Sequence, residues 1–185
     1  MNIVLIGPQG SGKSTQGKKI SEDFNIPYIS TGDMFRGIQV GEDEFSMSIR
    51  EKLSKGELID DETTNKIVRK HLEKSKFYHG FVIDGYPRSI NQSMSAPFVL
   101  DLILHIAVPN EVSVDRLLKR GRADDVEDNI RKRLGLYYAE TEPILEYWRE
   151  VDKVIDINGI GSVTEVHEHI NKTLTNILDE YKNQE

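Results

Sequence analysis

The sequence predicts a three-layer α/β domain, a doubly wound parallel sheet of five strands between two layers of helices. Three observations carry this expectation. Five short β-branched runs, Ile3–Ile6, Tyr28-Ile29, Phe81–Asp84, Leu102–Val108 and Val154–Ile157, alternate with longer helical patterns. Several of the runs are apolar at successive positions, so both faces of each strand must be covered, as they are when helices flank a parallel sheet. The chain has 185 residues, enough for one core and too few for two independent ones.

The first strand runs straight into Gly7-Pro8-Gln9-Gly10-Ser11-Gly12-Lys13-Ser14, and a helical pattern follows from Thr15 to Phe24. After the second strand, between Thr31 and Asp60, polarity rises and strand runs vanish. Two helical stretches stand there, punctuated by Gly41 and Gly56, which reads as a helical excursion able to move. The third strand ends in a carboxylate, Asp84, followed by Gly85-Tyr86-Pro87-Arg88. From Val112 to Trp148 the pattern is helical apart from a break at Gly121, and Thr164 to Tyr181 reads as a closing helix after the fifth strand. The last residues are expected to fray.

Composition narrows the function. With 37% hydrophobic and 30% charged residues, the chain has the make-up of an ordinary soluble globular protein. A formal net charge of −7 argues against nucleic-acid or anionic-membrane partners, both of which need a basic surface. Any anionic ligand must then be held by a local basic cluster. The absence of cysteine excludes a disulfide framework and a thiolate zinc site. The apolar start Asn2–Ile6 lacks a basic leader and is far below the roughly 20 residues of a membrane span, so a cytoplasmic protein is expected.

Gly7–Ser14 fits the phosphate-cradling pattern G-x-x-x-x-G-K-S, with the required strand before it and helix after it. Glycines let successive backbone N–H groups turn inward around a phosphate, and the following helix offers its positive end. Gly10, Ser11, Gly12, Lys13, Ser14 and Thr15 are the candidate triphosphate-binding residues, with Lys13 bridging β- and γ-oxygens and Ser14 holding Mg²⁺ or a phosphate oxygen. The glycine spacing does not fit the dinucleotide fingerprint, which disfavours a nicotinamide oxidoreductase. A triphosphate site alone leaves GTPase, ATPase, small-molecule kinase and nucleotide sensor open. The lack of an N-K-x-D run argues against the first. Asp84 stands where P-loop proteins orient Mg²⁺ or its water shell, and a strand-end Asp capping a turn is the plainer alternative. Arg88, after a rigid Pro at the carboxyl end of a central strand, places a guanidinium over the crevice where α/β ligands bind.

Gly7–Gln16, the run Tyr28-Ile29-Ser30-Thr31-Gly32-Asp33-Met34-Phe35-Arg36, and Asp84–Arg88, taken together and in this order, closely resemble the adenylate kinases over nearly the whole chain. The resemblance implies a P-loop NTPase fold and reversible transfer of the γ-phosphoryl of Mg·ATP to AMP, giving two ADP, in adenine nucleotide homeostasis. It implies ATP and AMP/ADP as partners, Mg²⁺ as cofactor and a monomer. It divides the chain into core (1–29), a monophosphate-binding domain (30–59), core (60–119), a vestigial lid (120–125) and core (126–185). Thr31 and the backbone from Gly56 to Ile59, with Leu58 and Ile59, would surround adenine. Arg36 and Arg88 would grip the AMP phosphate beside Gly85, and Gln92 would read the adenine edge. Pyrimidine-specific relatives tend to carry Ala at the place of Thr31, so Thr31 with Gln92 favours AMP. Arg116 resembles the residue that stacks on ATP adenine, and Arg120, Arg122 and Arg133 resemble those around the transferring phosphoryl group.

Three departures from the family pattern stand out. Arg120 and Arg122 are separated only by Gly121, where short-form relatives have a loop of several more residues, and long-form lids with a cysteine zinc site are excluded. Ser14 stands where the family more often has Gly. Ser93–Leu100 is short, which predicts a trimmed helix. Asp124 and Asp125 either orient Arg120 or Arg133, the reading the resemblance favours, or cap the following helix, and Lys119, Arg131 and Lys132 are expected to be solvated. The five histidines share no metal-ligand spacing and are expected at surface or strand positions, and Trp148 is expected to pack.

Overall fold

The computed structural model describes residues 1–74 and 77–182; the expected fraying of the last residues falls at 183–185, outside them. The elements run β1 (Asn2–Ile6), α1 (Lys13–Asp23), β2 (Tyr28–Ser30), α2 (Thr31–Ile38), α3 (Glu44–Ser54), α4 (Asp61–Leu72), β3 (Phe81–Asp84), α5 (Ile90–Met94) and β4 (Leu102–Ala107). They continue through α6 (Asn110–Arg120), α7 (Glu127–Leu136), a π-helical turn (Tyr137–Thr141), α8 (Pro143–Arg149), β5 (Val154–Asn158) and α9 (Val163–Lys182).

The five strands form one parallel sheet in the order β2-β3-β1-β4-β5. Their side-chain alternation feeds two cores. Val4 and Ile6 of β1, Phe81 and Ile83 of β3, and Ile103 of β4 point to one face, where Val68 of α4, Tyr137 of the π-helical turn, and Ile144 and Leu145 of α8 close over them. Ile3 and Leu5, Val82, and Leu102, Leu104 and Ile106 point to the other, against Ile20 of α1 and Val166, Ile170 and Leu174 of α9. Both faces being buried is why these strands read as continuous apolar runs. All strands being parallel, their carboxyl ends share one rim, and there the chain carries the P-loop after β1 and Gly85–Arg88 after β3.

The excursion after β2 has a small core of its own, Phe35, Ile49 and Ile59. Its two helices and the α4 that follows are capped by Ser30, Asp43 and Asp60, each side chain accepting a backbone N–H three residues on, at 3.2, 3.0 and 2.8 Å. Asp60 opens α4, which the sequence pattern had not singled out. The stretch expected as helix from Val112 to Trp148 begins earlier, after Pro109, and is broken into pieces. Gly121 takes the left-handed conformation (φ 63°) that ends α6, and a turn follows before α7. A π-helical turn then widens the coil before Pro143 restarts it as α8. Trp148 packs at the edge of the core and donates its indole N–H to Ser93 Oγ at 2.6 Å. Of two buried histidines, one holds an expected strand position and the other departs from the surface-or-strand expectation. His105 is buried on β4 between Asp156 (2.6 Å) and Tyr137 (3.2 Å), and His167 is buried on α9, a helix, between Asp23 (2.8 Å) and Gln16 (3.2 Å).

Candidate active site

The loop between β1 and α1 turns so tightly that a Cβ on Gly10, at φ 87°, would stand 2.7 Å from the Ser113 carbonyl of α6. Gly12, at φ 99°, opens α1, whose first-turn N–H groups face the crevice without intrahelical partners. The Lys13 ammonium donates to the carbonyls of Gly7 (2.6 Å) and Pro8 (2.8 Å). Burial lowers its pKa, Asp84 opposes that, and Arg88 and Arg120 add to the lowering; the outcome is about 8 in place of 10.5. A cation so destabilised is completed by an anion.

Asp84 closes β3 and is buried. Ser14 Oγ donates to its Oδ2 at 2.5 Å, and the Tyr28 hydroxyl donates to the same oxygen at 3.1 Å. Tyr28 was not among the candidates, because in sequence it is one aromatic in a strand run. Its ring lies on Gly17 of α1, where a Cβ would fall 2.5 Å from Tyr28 Cε2. Gly17 is therefore a packing requirement in mid-helix, where glycine is otherwise unfavourable. The hydroxyl and carboxylate oxygens of Ser14 and Asp84 suit a hard cation such as Mg²⁺. Among the described residues no group of three or more His, Cys, Asp or Glu could hold a metal ion.

Arg88 lies across the crevice. Its Nε donates to Gly85 O (2.9 Å), its backbone N–H to Gln92 Oε1 (2.8 Å), and its own carbonyl accepts from Thr141 Oγ1 in the π-helical turn (2.9 Å). Burial lowers the guanidinium pKa, Asp84 opposes, and Arg133 and Arg36 add to the lowering. Gln92 is buried with both ends of its amide engaged, since Nε2 donates to Asp61 Oδ1 at 2.8 Å. Asp61 is thus a supporting residue that sequence reasoning missed. Thr31 is also buried, its hydroxyl donating to Gly85 O at 2.8 Å. Arg36 is half-exposed and paired with Asp33.

On the opposite wall Arg116 donates to the carbonyls of Gly10 (3.4 Å) and Gly159 (3.1 Å). The segment between α6 and α7 is one tight turn, braced by Arg122 N–H to Asp125 Oδ2 (3.2 Å) and Asp125 N–H to Arg122 O (2.9 Å). Asp125 also accepts two bonds from Arg120 (2.8 and 2.7 Å) and one from Arg133 (2.9 Å), and Asp124 accepts from Arg133 at 2.7 Å. Burial works against the charged form of Asp125, yet the bonds from Arg120, Arg133 and the Arg122 N–H outweigh it and hold the carboxyl at about 2. One carboxylate therefore spans two arginines that lie thirteen positions apart in the chain. Lys119 and Arg131 pair with exposed neighbours on their own helices, and Lys132 is exposed as expected but also reaches the carbonyl of Lys55.

A single cavity of about 910 Å³ joins these groups. Every candidate residue named from the sequence lines it except Thr31, which backs its wall through Gly85. Eight cationic and three acidic side chains line it, in a chain whose net charge is −7.

A family model described as adenylate kinase matches residues 5–153. An adenylate kinase of Mycobacteroides abscessus is 42% identical over 181 residues, covering 94% of this chain and 99% of that protein. Adenylate kinases of Nocardia farcinica (36% over 181 residues, 94% and 99% covered) and Corynebacterium glutamicum strain R (38% over 182 residues, 94% and 99% covered) are similar along the same span.

Proposed function

The chain belongs to the adenylate kinase family, and from that premise we propose how this cavity transfers a phosphoryl group reversibly from ATP to AMP. The observation that carries the proposal is the gathering of eight cations around one cavity in an acidic chain, on both sides of Asp84. Gly10–Thr15 cradle the donor phosphates, and Arg116, held between the Gly10 and Gly159 carbonyls, lies along the donor base. Residues 30–59 form the acceptor unit, in which Arg36 and Arg88 grip the AMP phosphate. Leu58, Ile59 and the Gln92 amide, set by Asp61, border the base, and Thr31 acts through the Gly85 turn that it holds. Between the two phosphates stand Lys13, Arg88, Arg120, Arg122 and Arg133.

These cations neutralise charge on the equatorial oxygens and align the attacking and leaving oxygens, which is the work phosphoryl transfer asks of a protein. No side chain need act as general base. Mg²⁺, arriving with ATP and met by Ser14 and, through water, Asp84, would supply further charge neutralisation at the phosphates. The turn 120–125 serves as a vestigial lid, with Arg120 and Arg122 closing over the phosphates about Gly121. Since one chain supplies every group named, a monomer suffices, and the adenine nucleotide pools of the cytoplasm are its setting. Among the described residues no helix is long and apolar enough to cross a membrane.

The test is ADP formation from Mg·ATP with AMP, UMP, CMP or GMP offered in turn, and with none. Fast transfer to AMP alone is expected. Equal transfer to a pyrimidine nucleotide would remove the base-reading roles of Thr31 and Gln92. ATP hydrolysis without acceptor at a large fraction of the transfer rate would show that the short lid does not seal the site.

A further inference from the structure

Three contacts tie the end of α3 to α7. Asn129 Nδ2 donates to Ser54 O at 3.3 Å, Lys132 Nζ donates to Lys55 O at 2.8 Å, and the same ammonium lies 3.4 Å from the Glu57 carboxylate. Ser54 and Lys55 close α3, where terminal carbonyls lack intrahelical donors and the helix dipole is negative. An ammonium and an amide are therefore suited to cap it. Gly56 lies directly beyond, where a Cβ would meet Arg133 Cγ at 3.5 Å and Asn129 O at 3.7 Å. Asn129, Lys132 and Arg133 follow one another at i, i+3 and i+4, so they share one face of α7. The face that touches the acceptor unit is the face that presents Arg133 to the phosphate cavity, with Asp124 and Asp125 holding that guanidinium in place.

We propose that Asn129 and Lys132 are positioning residues that dock the acceptor unit shut on α7 and so set the AMP phosphate in register with Arg133. This rests on the reading of residues 30–59 as the acceptor unit. In a chain whose lid is a single turn, closure from the acceptor side has to find its partner on the core, and α7 supplies it. The Lys132–Glu57 pair is about half-exposed on both sides and contributes little alone; the two carbonyl caps carry the docking.

The chain has no cysteine, so nitroxide labels can be placed at Ser48→Cys, exposed on α3, and Asn176→Cys, exposed on the core helix α9. Their distance distribution is measured by pulsed electron paramagnetic resonance, alongside steady-state kinetics and thermal unfolding, in the parent, Asn129→Ala/Lys132→Ala and Lys132→Arg. The double variant is expected to give a longer, broader distribution and a KM for AMP raised about tenfold, the size of losing two ordinary hydrogen bonds. Its KM for ATP should be unchanged, and Lys132→Arg should retain the parent behaviour. An unchanged distribution, or an equal rise in both KM values with a lowered midpoint, would overturn the proposal. Calorimetric titration of AMP into the parent keeps the two readings apart: absence of AMP binding defeats the acceptor assignment, whereas the label distance reports docking with no nucleotide present.

Discussion

Replacing Lys13 by Met should make the ligand-free protein more stable at neutral pH while abolishing transfer. The folded-state ammonium has its pKa lowered from 10.5 to about 8. At pH 7 the lysine is charged in both states, so the folded state carries the penalty of that lowering, about 3 kcal/mol. Between the two values the unfolded chain binds more protons than the folded one, so wild-type stability rises with pH across this window. By pH 10 the folded lysine is neutral and the penalty has shrunk to roughly 1 kcal/mol. Met carries no charge, so the stability gap between variant and wild type should narrow by about 2–3 kcal/mol from pH 7 to pH 10, roughly 4–12 °C in Tm for a domain of this size. Burial raises the phenol pKa values of Tyr28, Tyr86 and Tyr137, but these residues are common to both proteins and cancel in the difference. The assay is reversible urea unfolding of both proteins, without nucleotide, at a series of pH values. A gap that stays constant from pH 7 to pH 10 would refute the reasoning, since it would mean that the cradle does not penalise the ammonium. Mg·ATP should stabilise the wild type far more than the variant.

Arg88→Ala should keep the fold and lower transfer by several orders of magnitude, because it removes both the acceptor grip and charge stabilisation in the transition state; near-normal kcat would sink that role. Gly17→Ala should destabilise by about 1–3 kcal/mol even though Ala is the better helix former, since the methyl would press on Tyr28 and Leu5, and a raised Tm in thermal unfolding would contradict the packing. Tyr28→Phe keeps the ring on Gly17 and removes the donor to Asp84, so kcat should fall about tenfold with little change in Tm, and an unchanged kcat would leave the hydroxyl without a function.

The parts legible in the sequence were those written in consecutive residues. Gly7–Ser14 and Asp84–Arg88 carry their chemistry at fixed spacing, and the strand runs announce a sheet covered on both faces because burial of both faces leaves no position polar. Even the gathering of Arg116, Arg120, Arg122 and Arg133 could be read, as a basic segment in an acidic chain. What could not be read was which side chain answers which. The resemblance already sets Asp124 and Asp125 beside Arg120 or Arg133, but that Asp125 holds both arginines at once follows only from the tight turn after Gly121. Tyr28 reaches Asp84 only because β2 lies beside β3 with Ser30 opposite Asp84. Gly17 looks like a flaw in a helix until that tyrosine ring is laid on it. Lys132 reads as a solvated charge until the end of α3 arrives beside it from a segment more than seventy residues earlier. Local pattern follows from backbone geometry and burial, which neighbours in sequence share. Partnership follows from strand order and from where each crossover returns, so for these residues only the tertiary structure could decide it.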